Sequence, residues 1–450
     1  MKVIALVDGE HYPSVTQWGL TSARHEGYEI VAALLVGGLE KLGADRRLDI
    51  GDTPVIEGAQ DPRRVLADAI STLRPDGVLD LSDEPVLGYE ARMELASMAL
   101  ARGVSYLGPD FRLDPPVTEP ALPAPTLAVI GTGKRVAKTA IAAHVARVAV
   151  AAGHRPVIVA MGRGGPPEPV VAGPGEVTLE ALLARMERGE HAASDFLEDA
   201  LTAGVPTVGA RRCGGGLAGR PFVTNVAQAA GLAVSMGGDP VILEGSGASV
   251  PTVPWDAGVL VAPASLPPGH LGGYLGPYRV LLSDLLILIM DGSPITGRDR
   301  PTLYSLARRL HDRLRVAFAE LQPVPLADVR GKDAFFATTA HQELAARLAD
   351  QLERSAGCRV VSFTSQLADR PELERALASA PPYDVLLTEL KAAAVDVAAP
   401  RALARGAEVV FVDNRPTGVG GDGDLDELIG ETIDLARERG AWRVRRNEVD

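Results

Sequence analysis

A chain of βα units folded around largely parallel sheets is predicted by three observations. Short β-branched or leucine-rich runs alternate with alanine-rich helical stretches along the whole length. Five prolines crowd into FRLDPPVTEPALPAP (111–125), which can continue neither a helix nor a sheet ladder. Immediately after them, TLAVIGTGKRVAKTA (126–140) runs from strand to glycine-bearing loop to helix. The expected fold class is α/β. It comprises an N-terminal Rossmann-like α/β domain (1–110), a Pro-rich linker (111–125), a P-loop NTPase-type parallel-sheet domain (126–330), and a C-terminal α/β extension (331–450) packed on the P-loop domain.

The elements follow in chain order. In the first domain KVIALVDG, YEIVAALLVGG and GVLDLSD are expected as strands. DPRRVLADAISTLRPDG and YEARMELASMALARG are expected as helices stopped by glycine. The second domain opens with the strand TLAVI, and its further strands fall at RPVIVAM, DPVILEG, AGVLVAP and LLILIMD. The most apolar run, Val280 to Met290, is shorter than the roughly 20 residues of a membrane-spanning helix and contains Asp284, so it reads as a buried strand and its approach. A helix is expected through TLYSLARRLHDRLRVAFAEL (302–321). After it come the strands KDAFFATT, CRVVSFT, YDVLLTEL and AEVVFVDN, separated by helices. The acidic run Asp422, Asp424, Asp426 lacks the remaining spacing of a calcium loop and reads as a helix start.

Composition narrows the function. The 450 residues exceed one hydrophobic core, and 46% apolar content is ample for burial. A formal net charge of −13 disfavours nucleic acid or an anionic membrane as principal partner, so any bound anion must be met by a local basic pocket. Two cysteines, Cys213 and Cys358, cannot make a disulfide framework, and MKVIALVDGEHYPSV lacks the apolar core of a signal peptide. The expected location is cytoplasmic, with no membrane partner and room for a homodimer. Cys213 reads as a packing residue, since no His or Asp spacing singles it out.

Three stretches carry candidate chemistry. In GTGKRVAKT, backbone N–H groups and the positive end of the following helix would surround a polyphosphate. Gly131, Thr132, Gly133, Lys134, Arg135, Lys138 and Thr139 form this candidate ATP site. Lys138 would reach the β- and γ-phosphates, and Thr139 would offer a hydroxyl to Mg2+. Aligned to GxxxxGK[ST], Thr132 takes the first glycine position and Ala137 the second. In VILEGSGASVPTV, four apolar residues deliver Glu244 to a strand end, where a carboxylate would hold the metal or orient a nucleophile. In GARRCGGGLAGR, Arg211 and Arg212 stand beside Gly214 and Gly215, a pairing suited to phosphate oxygens and equally compatible with a flexible arginine-rich loop. Arg163 in MGRGGPPEP repeats that chemistry, and Lys391, Asp413 and Asn414 follow strand ends. Asp8, Glu10 and His11 follow the first strand but make no recognised motif.

Taken in order, GTGKRVAKTA, GARRCGGGLAG, LEGSGAS and LLTELKAAAVDV resemble the cyclic 2,3-diphosphoglycerate synthetase family over essentially the whole chain. GTGKRVAKT and EGSG are also similar to dethiobiotin synthetase, and Ala137 departs from the glycine usual in such loops. The resemblance implies an ATP-dependent ligase that closes 2,3-bisphosphoglycerate to its cyclic anhydride, releasing ADP and phosphate. It implies catalytic roles for Lys138, Lys134, Glu244, Arg211 and Arg212. The polyanionic substrate would be held by Arg163, Arg211, Arg212, Gly214, Gly215 and Lys391, and the metal by Thr139 and Glu244. Two other readings stay open. One is a different ligase of the dethiobiotin-synthetase type. The other is a nucleotide-switched assembly ATPase, disfavoured because its signature lysine would fall at Gly133 rather than Lys134.

Overall fold

A computed structural model describes residues 1–42, 47–290 and 296–447. Two sheets organise them. The first has six strands, ordered 3-2-1-4-5-6 along the chain. Its central strand, Lys2–Val7, pairs in parallel with Glu29–Leu35 on one side and Gly77–Asp80 on the other. Both faces are covered, so the strand is apolar throughout rather than alternating, and Val3 to Val7 are at most 1% exposed. Its last strand, Phe111–Leu113, runs antiparallel to Ser105–Gly108. The first sheet therefore reaches into the stretch expected as linker.

The second sheet has thirteen strands. At its centre Val241–Glu244, Thr126–Gly131, Ala257–Pro263 and Leu285–Met290 run parallel. Helix Lys138–Ala151 and the final helix Leu425–Asn447 cover one face, burying Ile141, Val145, Leu428 and Ile433 against the strands. Helices Val226–Ser235 and Thr296–Leu310 cover the other. The acidic run 422–426 does start the final helix: Asp424 accepts the backbone N–H groups of Asp426 and Glu427.

One expected element is corrected. The stretch 302–321 is not a single helix, because the helix stops at Leu310 and Arg315–Pro325 is a strand. Val316 to Ala319 are buried, pairing in parallel with Leu285–Met290 and antiparallel with Glu408–Gly421. A fully buried apolar run has no helical or strand period of its own, and the neighbouring strands decide its conformation. This strand joins the P-loop strands to the C-terminal ones in a single sheet.

The N-terminal unit docks on the second through a shared core. Leu275 and Tyr278 are buried in the same cluster as Leu66, Leu95 and Leu100. Arg309 pairs with Glu94 at its rim. Among the described residues, no helix is long and apolar enough to cross a membrane.

Candidate active site

The loop between Thr126–Gly131 and Lys138–Ala151 is shaped by close approach. A Cβ on Gly131 would stand 2.8 Å from Val136 and 2.9 Å from the Lys138 stem, so glycine is what lets the lysine fold back over the strand end. The curl also needs left-handed backbone at Arg135 and Ala137, with φ of 58° and 69°. Ala137 adopts it at a cost of roughly 1–2 kcal/mol that glycine would avoid. Lys138 is buried, and its Nζ donates to the Gly133 carbonyl at 2.7 Å. Burial pushes its pKa down to about 8, with Glu244 and Asp195 acting in the opposite direction. The Thr132 hydroxyl is buried in the same loop with no partner.

Glu244 ends the strand beside the P-loop strand and is 2% exposed. Its Oε1 accepts the Thr139 hydroxyl at 2.8 Å. Burial first, then Asp195, raises its carboxyl to about 7, against the pull of Lys138 and the hydrogen bond from Thr139. Helix Asp195–Ala203 aims Asp195 and Asp199, one turn apart, at the same region. Asp199 is fully buried against the Glu244 carboxyl, and among the described residues no N–H or hydroxyl donates to either of its oxygens, so a hydrogen bond between the two carboxyls needs a shared proton. Burial and the neighbouring Glu244 hold its pKa well above the usual carboxylate range. A hydroxyl beside a carboxylate, with further carboxyl oxygens lacking donors, suits a hard divalent cation. Among the described residues no three His, Cys, Asp or Glu side chains converge as a complete ligand set. Phosphate and water oxygens would have to complete a magnesium shell, as that ion prefers.

These groups open into a cleft of about 790 Å³ at the carboxyl ends of the parallel strands, where ligands bind in such sheets. Lys134, Arg135, Lys138 and Arg163 line it. Among the described residues, no hydrogen bond or ion pair engages the side chains of Lys134, Arg135 or Arg163, which leaves their charge available.

The structure sets the two arginines apart. Successive side chains of a strand point to opposite faces, and Arg211 and Arg212 are neighbours in the strand Thr207–Cys213. Arg211 is exposed, with its Nε on the Gly165 carbonyl at 3.1 Å, and does not line the cleft. Arg212 is 9% exposed and donates to the carbonyls of Gly214 at 2.6 Å and Ser246 at 2.8 Å, tying the glycine hairpin to the turn after Glu244. A Cβ on Gly247 would meet Nη2 of both Arg163 and Arg212 at 3.3 Å, so these two guanidiniums converge on that turn. Gly214 and Gly215 lie outside the cleft lining. Lys391 does line it, but its ammonium is already paired with Glu198 at 2.8 Å. Burial works against its charge, yet Glu198 and Glu389 outweigh burial and hold its pKa above the ordinary value. Asp8 and His11 lie elsewhere, at the edge of the first sheet. There Asp8 accepts the His11 ring nitrogen at 2.8 Å and the Asp83 N–H at 2.7 Å.

Three family models match successive parts of the chain. Residues 2–114, 126–309 and 325–415 match the N-terminal, P-loop and C-terminal domains of cyclic 2,3-diphosphoglycerate synthetase. The chain belongs to the cyclic 2,3-diphosphoglycerate synthetase family. It is 44% identical to the protein of that name from Rubrobacter xylanophilus, over 98% of this chain and 99% of the relative. The relative from Methanothermobacter thermautotrophicus is 41% identical over 95% of this chain and 94% of its own. That from Methanothermus fervidus is 39% identical over 97% of each.

The sequence pattern missed several residues at or behind the cleft: Asp195 and Glu389 line it, while Glu198 and Asp199 lie buried behind it against Lys391 and Glu244. Asp195, Glu198 and Asp199 sit in HAASDFLEDA, which reads as an ordinary acidic helix start. Glu389 lines the cleft beside Lys391, accepting from Thr339, Thr338 and Asn414 and so tying the ends of strands Asp333–Ala337 and Val385–Thr388 to the middle of Glu408–Gly421. Only its position at a strand end, two residues before Lys391, could have marked it.

Proposed function

We propose that this synthetase-family chain uses ATP to close 2,3-bisphosphoglycerate to cyclic 2,3-diphosphoglycerate. The observation that carries the reading is the single cleft in which Lys138, Thr139 and Glu244 stand beside unpaired cations on a neighbouring wall. Two polyanions must meet there, and neither would approach the other in water.

An oxygen of one substrate phosphate attacks the γ-phosphorus of ATP, the bond to the β-phosphate oxygen breaks, and ADP leaves. An oxygen of the second substrate phosphate then attacks the activated substrate phosphorus. The phosphoryl group taken from ATP departs as inorganic phosphate, leaving the internal anhydride. Phosphoryl transfer asks a protein mainly for positioning and charge neutralisation. Lys138 exchanges the Gly133 carbonyl for β- and γ-phosphate oxygens and meets the charge that grows on them. Lys134, Arg135 and Arg163 take the substrate phosphates, and Arg212 holds the turn on which Arg163 converges. Thr139 and Glu244 would hold Mg2+, which supplies charge neutralisation between the β- and γ-phosphates. Ala137 keeps the left-handed turn that the loop needs, so departure from glycine changes its strain and not its path.

The test is ATP turnover with and without 2,3-bisphosphoglycerate, in the parent protein and Lys138→Ala. The reading expects stimulation by bisphosphoglycerate and its loss in the variant. Turnover indifferent to the small polyanion would point to a nucleotide switch, and full activity in folded Lys138→Ala would remove the P-loop assignment.

A further inference from the structure

The cleft has two chemically distinct walls. Its P-loop side carries Lys134, Arg135 and Lys138, while the opposite side combines Ile289, Met290, Leu344 and Leu348 with Arg347, Asp350 and Arg354 of helix Gln342–Ala356. Strand Leu285–Met290 lies two positions across the sheet from the P-loop strand, about 10 Å away at the usual spacing. That separation and polarity suit a nucleotide, whose phosphates are charged and whose base is a flat apolar ring with a hydrogen-bonding edge.

The helix presents Leu344, Arg347, Leu348 and Gln351 at spacings of three and four, hence on one face. All four border the cleft. Among the described residues, no hydrogen bond or ion pair engages the Arg347 guanidinium. The Gln351 amide oxygen is buried with no donor. Among the described residues nothing donates to that oxygen, and a buried acceptor without a donor is costly, so a ligand group that donates to it would relieve the cost. An amide that donates and accepts side by side matches the adenine edge, taking a proton from the exocyclic amine and giving one to the adjacent ring nitrogen. Guanine carries a carbonyl oxygen where adenine carries that amine, so the same amide cannot make the pair in that orientation.

We propose that helix Gln342–Ala356 of the C-terminal unit is the purine-reading wall of the nucleotide site, with Gln351 selecting adenine and Leu344 and Arg347 packing on the ring. This rests on the reading that the P-loop binds a nucleoside triphosphate. It gives the C-terminal unit a part in choosing the phosphoryl donor.

The experiment measures binding of ATP, GTP and inorganic tripolyphosphate by calorimetry to the full chain and to Gln351→Leu, Leu344→Ala and Lys138→Ala. Tripolyphosphate needs only the P-loop. For Leu344→Ala, losing three buried carbons should weaken ATP binding about tenfold or more while tripolyphosphate binding is unchanged. For Gln351→Leu, the preference for ATP over GTP should fall by roughly the same factor. Lys138→Ala should weaken ATP and tripolyphosphate alike. The inference is overturned if the parent binds both but the helix variants, with melting curves like the parent's, leave ATP affinity and the ATP/GTP ratio unchanged. It is also overturned if they weaken tripolyphosphate as much as ATP. A parent that binds neither compound would instead refute the underlying nucleotide reading.

Discussion

Replacing Glu244 with Gln should stabilise the nucleotide-free protein, and only above the ordinary carboxylate range. The carboxyl is buried, and its pKa rises from 4.5 to about 7. At about 1.4 kcal/mol per unit, the native state is destabilised by roughly 3 kcal/mol once both native and unfolded forms are ionised. The sign follows from which state holds the proton. Below pH 4.5 both states are protonated and there is no penalty. Between 4.5 and 7 the unfolded chain ionises first, so stability falls, and above 7 the penalty is full. Glutamine is neutral throughout and its amide oxygen still accepts the Thr139 hydroxyl, so the variant should lack this loss. The comparison belongs at pH 8.5, above the value of about 8 for Lys138, where losing the carboxylate leaves little unpaired ammonium behind. Unfolding of both proteins in guanidinium chloride at pH 5 and pH 8.5 supplies the assay. The variant should exceed the parent by less than about 1 kcal/mol at the lower pH, where the unfolded chain has only begun to gain from ionising, and by roughly 3 kcal/mol at the higher one. A gap that does not change with pH would refute the idea that a buried, destabilising carboxylate is retained here for function.

Three further outcomes are expected. Ala137→Gly relieves left-handed strain of roughly 1–2 kcal/mol and returns part of it through the freer unfolded chain, so thermal unfolding should show a net gain near 0.5–1 kcal/mol. A loss would mean that the φ of 69° is not strained. Arg211→Ala and Arg212→Ala should part company: the exposed residue changes stability within about 0.5 kcal/mol and leaves turnover intact. Arg212→Ala removes two charge-assisted bonds to carbonyls, costs about 1.5–3 kcal/mol, and should lower turnover at least tenfold; equal effects at the two sites would restore the paired reading. Glu198→Ala leaves Lys391 without its 2.8 Å partner, and turnover should fall with a rise in KM for bisphosphoglycerate as the ammonium shifts toward Glu389. An unchanged KM would separate Lys391 from the substrate.

What the sequence disclosed depended on whether a residue's role was local. Lys138 and Thr139 follow a strand and open a helix, and Glu244 ends a strand with glycine next, so their placement at strand ends was legible from neighbours alone. The separation of the Arg211 and Arg212 side chains was not read, for a reason equally local: adjacent residues in a strand face apart, and the run TVGARRC is a strand. The segment 315–325 was illegible because its conformation is imposed by Leu285–Met290 and Glu408–Gly421, which lie far away in sequence. Asp195, Asp199 and Gln351 were invisible for the same reason. Each is an ordinary polar residue on a helix until the fold brings Asp195 and Gln351 to the cleft and Asp199 against Glu244.

The account stands most directly on what becomes of the phosphorus. The full-length protein, incubated with ATP, Mg2+ and 2,3-bisphosphoglycerate, can be followed by phosphorus NMR. The account predicts one ADP and one inorganic phosphate for each bisphosphoglycerate lost, with anhydride signals from a new compound in which the two substrate phosphorus atoms couple to each other. ADP and phosphate accumulating while the bisphosphoglycerate signals stay unchanged would contradict it.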